Sequence, residues 1–136
     1  MKRRVLFLCT GNSARSQMAE AIVNARLGEG WEALSAGTEP AGYVHPMAVR
    51  VLAEIGIEHR GWSKSVSEFR DLPFDLVVTL CDDAAQNCPL WLGPGKREHL
   101  SFPDPAQARG AEDEILAAFR AVRDDIADKV RALLRQ

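Results

Sequence analysis

The chain has 136 residues, enough for one domain of ordinary size over residues 1–136 and not for two. Hydrophobic residues at 46% and charged residues at 26% exclude intrinsic disorder and fibrous architectures. The formal charge of -2 gives no excess of Lys and Arg to hold nucleic acid non-specifically, so any anion must be recognised by local geometry.

Lys2-Arg3-Arg4 followed by Val5 to Leu8 imitates a signal peptide, but the apolar run breaks at Cys9-Thr10-Gly11-Asn12, short of the roughly 7 residues an export core needs. No stretch approaches the roughly 20 apolar residues that cross a bilayer, so a cytoplasmic protein without membrane contact is expected. Val5-Leu6-Phe7-Leu8 reads as a buried strand. Ser16 to Leu27 then carries Met18, Ala19, Ile22 and Leu27 at helical spacing and stops at Gly28. A second strand near Ala33-Leu34-Ser35 precedes a helix opened by Pro46, with Ala48, Val51, Leu52 and Ile55 on one face and Gly56 as its stop. Ser63 to Arg70 reads as a further short helix, Leu76 to Leu80 as a third strand, and His99 to Phe102 as a fourth, before Pro103-Asp104-Pro105 breaks the chain. Ile115, Phe119, Val122, Ile126, Val130 and Leu133 recur at steps of three and four. Arg123, Asp124, Asp128 and Arg131 fall elsewhere, which describes a long amphipathic helix with a solvated charged face.

Strands joined through helices run parallel. Four of them predict an α/β fold, a doubly wound four-stranded parallel sheet in the order 2-1-3-4 flanked by helices, with its switch point between the first and third strands. Ligands bind outside the carboxyl ends of the strands at such a crevice. Cys9 and Cys81 stand there, on neighbours about 4.8 Å apart. Cys9, Cys81 and Cys88 are the cysteines of the chain. In a reducing compartment they read as free thiols, and neither their spacing nor the isolated His45, His59 and His99 suits zinc.

The loop Cys9-Thr10-Gly11-Asn12-Ser13-Ala14-Arg15-Ser16 joins the first strand to its helix and is an oxyanion cradle. Successive amides converge on a tetrahedral anion, the helix amino terminus adds partial positive charge, and Arg15 supplies a two-pronged fork. The same field favours a thiolate, which makes Cys9 a nucleophile, with Ser16 placed to hydrogen-bond the sulfur. Asn12 tolerates the left-handed conformation that such a turn requires.

A cysteine, five residues, an arginine and a serine after the first strand resemble the phosphate-binding loop of the low-molecular-weight protein tyrosine phosphatase superfamily, and Ser35-Ala36-Gly37-Thr38 and Asp104-Pro105 fit the same pattern. Val77 to Pro89, containing Cys81 and Cys88, and Phe102 to Ala106 resemble the corresponding segments of its thioredoxin-coupled arsenate reductases. The resemblance implies a cytoplasmic arsenical-resistance enzyme that reduces arsenate to arsenite. Cys9 attacks arsenic in arsenate held by the loop amides and Arg15, and Asp104 protonates the departing oxygen. Cys81 then attacks Cys9, and Cys88 attacks Cys81. External thioredoxin reduces the final disulfide, no cofactor is bound, and phosphate or sulfate compete as oxyanions. Taken alone, Asp104 reads equally well as a turn or N-cap residue ahead of Pro105.

Some positions depart from the pattern. Ala14 stands where many relatives carry a second loop cysteine. Asn12, Glu20 and Ser35 resemble positions that in some relatives hold a structural potassium ion, although the reductive chemistry requires no metal. Lys64 falls near the expected acidic partner of that ion, where its ammonium would replace the metal, and, on its own, reads as an exposed lysine of a short helix. Trp31, Trp62 and Trp91 read as core and rim. A phosphotyrosine or small phosphomonoester phosphatase using Cys9, Arg15 and Asp104 is the alternative within the fold, and Tyr43, the chain's one tyrosine, lies away from the Asp-Pro segment where animal relatives carry paired tyrosines. An oxyanion sensor without turnover is the alternative outside it. A monomer is expected.

Overall fold

The structure is a computed structural model that describes residues 2–69, 72–80 and 96–135. Cys81, Cys88 and Trp91 lie outside the described residues, and so does any statement about the approach of Cys81 to Cys9.

Four parallel strands form one sheet in the order β2-β1-β3-β4, as the alternation of elements predicts. They are β1 (Arg3–Cys9), β2 (Trp31–Gly37), β3 (Leu76–Thr79) and β4 (Lys96–His99). The helices are α1 (Arg15–Arg26), α2 (Pro46–Glu54) and α3 (Glu112–Leu134), and 3-10 turns cover Val66–Phe69 and Pro105–Gln107. None of the described helices is long and apolar enough to cross a membrane.

The apolar run of β1 is continuous because both faces of the sheet are covered. Val5 and Phe7 point to the side packed by α1, α2 and α3, while Leu6 and Leu8 meet Ala36, Phe74 and Val77 on the other side. Fully burying each of these side chains contributes about 1.5–3 kcal/mol, so the strand that ends in Cys9 is anchored through both faces. Helix α2 begins at Pro46 behind His45, whose Nδ1 accepts from the Met47 amide at 3.1 Å. It ends before Gly56, which takes the left-handed φ of 81° that a helix stop asks of glycine.

Three expectations are corrected. The fourth strand is Lys96–His99, not His99 to Phe102. Among the described residues it is an edge strand paired with β3 alone, whose charged side chains blunt further pairing, and Thr79 Oγ1 meets His99 Nδ1 across the pair at 2.6 Å. Of the segment read as a helix over Ser63 to Arg70, the described residues 63–69 form a 3-10 turn at Val66–Phe69, and Ser65 before it is drawn into a bridge with Gly37. Arg123 is not on a solvated face. It is buried, its Nη1 donating to the Val51 carbonyl at 2.9 Å and to Glu54 at 3.0 Å. Arg120 also forks onto Glu54, and this hydrogen bonding holds the Glu54 carboxyl down to about 2. The charges thus join α2 to α3.

Candidate active site

Cys9, buried at 2% exposure, is the last residue of β1, and α1 begins six residues later at Arg15. Between them the chain turns with Asn12 at a φ of 49°. The carbonyls of Thr10, Gly11 and Ser13 accept from the amides of Glu39, Ala41 and His45 at 3.0, 2.9 and 2.8 Å, and that of Asn12 accepts from Gln17 at 3.1 Å. Because a peptide's N–H and C=O point opposite ways, the amides of residues 11–14 face away from these partners. Helix α1 has no side-chain cap and no acidic residue in its first turn, whereas α3 opens on Glu112, Asp113 and Glu114. The positive end of α1 is therefore left to an anion.

Loop residues, Arg15, Glu39 and Asp104 line a cavity of about 450 Å³ with Cys9 at its base. Arg15 is buried, its Nη1 donating to the carbonyls of Phe102 at 3.1 Å and Leu80 at 3.5 Å. Its Nη2 lies 3.7 Å from Asp104 Oδ2. Asp104 does both things its sequence context allows. Oδ1 accepts from the Ala106 amide at 3.0 Å, capping the turn after Pro105, while Oδ2 faces Arg15 in the cavity.

The Cys9 sulfur lies 2.8 Å from Ser16 Oγ, and Asn12 Nδ2 lies 2.8 Å from the same oxygen. Of the expected site residues, Cys9, Thr10, Gly11, Asn12, Ser13, Ala14, Arg15, Ser16 and Asp104 are thus brought together at the carboxyl end of β1. Thr38, Glu39 and Gln107 complete the wall. Thr38 closes the Ser35-Ala36-Gly37-Thr38 pattern noted in the sequence, whereas Glu39 and Gln107 carry no motif of their own.

Gly37 explains how closely β2 backs the loop. A Cβ there would collide with the Thr10 carbonyl and stand 3.0 Å from the Cys9 carbonyl and 3.1 Å from the Asn12 amide. Gly37→Ala is expected to destabilise by about 2 kcal/mol, roughly 5 °C in Tm, and to weaken oxyanion binding because the displaced atoms belong to the cradle. Thermal unfolding with and without phosphate checks both effects.

The donors around Glu20 do not suit potassium. Glu20 Oε1 accepts from Ser35 Oγ at 3.0 Å and lies 3.6 Å from Lys64 Nζ. Asn12 Oδ1 already accepts from the Lys64 amide at 2.7 Å and from Gln17 at 3.0 Å. Lys64 is buried at 5% exposure, contrary to its reading as an exposed lysine, and donates to the Trp62 carbonyl at 2.7 Å. Burial raises the Glu20 carboxyl above its ordinary value, opposed by the Lys64 ammonium. An ammonium supplies the positive charge, and a second cation beside it would be repelled.

The model of the low molecular weight phosphotyrosine protein phosphatase family matches residues 4–136. This chain belongs to that family. Among phosphatase-family relatives, the arsenate reductase of Bacillus licheniformis is 45% identical over 134 residues, covering 96% of this chain and 94% of its own. The crystal structure of arsenate reductase from Archaeoglobus fulgidus superposes with a TM-score of 0.76 at 34% identity, over 97% of this chain and 99% of that one. A thioredoxin-dependent arsenate reductase of Corynebacterium glutamicum superposes with a TM-score of 0.67 at 26% identity, over 99% of this chain and 64% of that longer one.

Proposed function

We propose that this family member reduces arsenate to arsenite through Cys9, Cys81 and Cys88, with thioredoxin as the external reductant. The observation that carries the reading is the meeting of Cys9, Arg15 and Asp104 in one cavity. An identity of 45% to an arsenate reductase over nearly the whole chain supports the choice of substrate. Arsenate sits on the loop amides and the Arg15 fork, which neutralise its charge. The Cys9 thiolate attacks arsenic. An As–S bond forms, an As–O bond breaks, and the departing oxygen takes the Asp104 proton and leaves as water.

The Cys81 thiolate next attacks the Cys9 sulfur. The As–S electron pair passes to arsenic, which leaves as arsenite, and a Cys9–Cys81 disulfide remains. Cys88 attacks Cys81, releasing the Cys9 thiolate and leaving Cys81–Cys88, which thioredoxin returns to two thiols. Such a relay works in a reducing cytoplasm, in a monomer, with phosphate and sulfate as competing oxyanions. In a coupled assay with thioredoxin, thioredoxin reductase and NADPH, addition of arsenate should give sustained NADPH oxidation with equimolar arsenite. A single stoichiometric oxidation would instead identify a sensor.

Hydrolysis of phosphomonoesters is a second reading favoured by the same geometry, since Cys9, Arg15 and Asp104 suffice for it. Turnover of an aryl phosphate without arsenate-dependent NADPH oxidation would make it the main activity.

A further inference from the structure

Behind the loop, a titratable side chain that no step above uses is connected to the nucleophile. Gln17, fully buried on α1, directs its Nε2 at three oxygens: Asn12 O at 3.1 Å, Asn12 Oδ1 at 3.0 Å and Trp62 O at 2.9 Å. Turning the amide over would set oxygen against oxygen at all three, so its orientation is fixed and Oε1 faces His59 Nε2 at 2.7 Å. His59 must therefore donate.

The direction of the following bonds is then determined as far as Ser16. Asn12 Oδ1 accepts from Gln17 and from the Lys64 amide, so Asn12 Nδ2 donates to Ser16 Oγ. A Cys9 thiolate can only accept, so toward it the Ser16 hydroxyl gives its proton across the 2.8 Å contact. Amides that accept at oxygen and donate at nitrogen polarise one another along such a chain, and here every donor points toward Cys9.

We infer that His59 is a positioning residue for the nucleophile, orienting through Gln17, Asn12 and Ser16 the hydrogen bond that stabilises the Cys9 thiolate. The inference rests on Cys9 being that nucleophile. A second observation supports it independently. Residue 61 is glycine, and a Cβ there would stand 2.6 Å from His59 Nε2 and 2.8 Å from Gln17 Oε1, so the backbone leaves room for this bond. Burial, with the nearby Lys64 charge, also holds His59 below its ordinary value, while the Gln17 geometry keeps a proton on Nε2.

The test is the pH profile of Cys9 alkylation by iodoacetamide in the reduced full chain, read at the Cys9 peptide by mass spectrometry, together with kcat and KM for arsenate. His59→Ala should slow alkylation at pH 6 about fivefold while matching the wild type at pH 9. It should also lower kcat with KM nearly unchanged. His59→Gln, whose amide can donate in place of the ring, should restore both. Gly61→Ala, which displaces the ring without removing it, should repeat the defect and carries the test if His59→Ala does not fold. Superimposable profiles, or a defect that His59→Gln does not repair, would overturn the positioning role. A wild-type Cys9 no more reactive at pH 6 than a free thiol would overturn the nucleophile reading itself and this inference with it.

Discussion

Replacing Cys9 by serine should abolish arsenate reduction and phosphomonoester hydrolysis together, each by on the order of 10⁴-fold or more. The structure explains why so small a change has so large an effect. The sulfur sits at the base of the cradle with Ser16 at 2.8 Å, in the cavity that Arg15 also lines. A serine hydroxyl would occupy the same place but stay protonated, because an alcohol is far less acidic than a thiol. Because the neighbouring bonds survive, Tm should change little, which separates loss of chemistry from loss of fold. Retained reductase turnover in Cys9→Ser would refute the assignment.

Cys81→Ser and Cys88→Ser should separate the two activities that Cys9→Ser removes together. On the proposed relay, Cys88→Ser releases one arsenite per chain and then stalls as the Cys9–Cys81 disulfide. Cys81→Ser forms the arsenic adduct and goes no further. Neither residue takes part in attack on a phosphate ester, so both variants should hydrolyse an aryl phosphate at close to the wild-type rate when kept reduced. Arsenite counted per enzyme, beside aryl phosphate turnover, gives both readings. Equal loss of both activities would show that these cysteines serve structure and not electron transfer.

What could be read from the sequence was what local physics decides. The apolar run of β1, Pro46 at the start of α2, the left-handed stop at Gly56 and the loop from Cys9 to Ser16 are each specified by neighbouring residues, and each stands where expected. The parallel pairing followed from the crossover rule, and the order of the strands from the doubly wound arrangement that four such strands adopt. The misreadings concern residues whose partners are remote in sequence, as Gly37 is for Ser65, and most of them are charged. Residue type alone puts Lys64 and Arg123 at the surface. Their burial depends on Glu20 for the first and on a carbonyl 72 positions away for the second. Likewise β4 has no apolar alternation, because an edge strand of Lys, Arg, Glu and His is held by main-chain bonds that its side chains do not announce. The bond from His59 to Gln17 spans 42 positions, and nothing in the spacing of either residue suggests it.

Arg15 grips two carbonyls through one nitrogen, at Leu80 just past β3 and at Phe102 beyond β4. An arriving oxyanion therefore meets a guanidinium already fixed in place. The rotational freedom of a long side chain, about 2 kcal/mol, is lost when the protein folds and need not be lost again on binding. The same arrangement makes affinity hostage to distant backbone. A substitution that shifts the carbonyl at Leu80 or Phe102 would loosen the fork without touching the ligand, and would weaken anion capture while leaving every residue of the cradle intact.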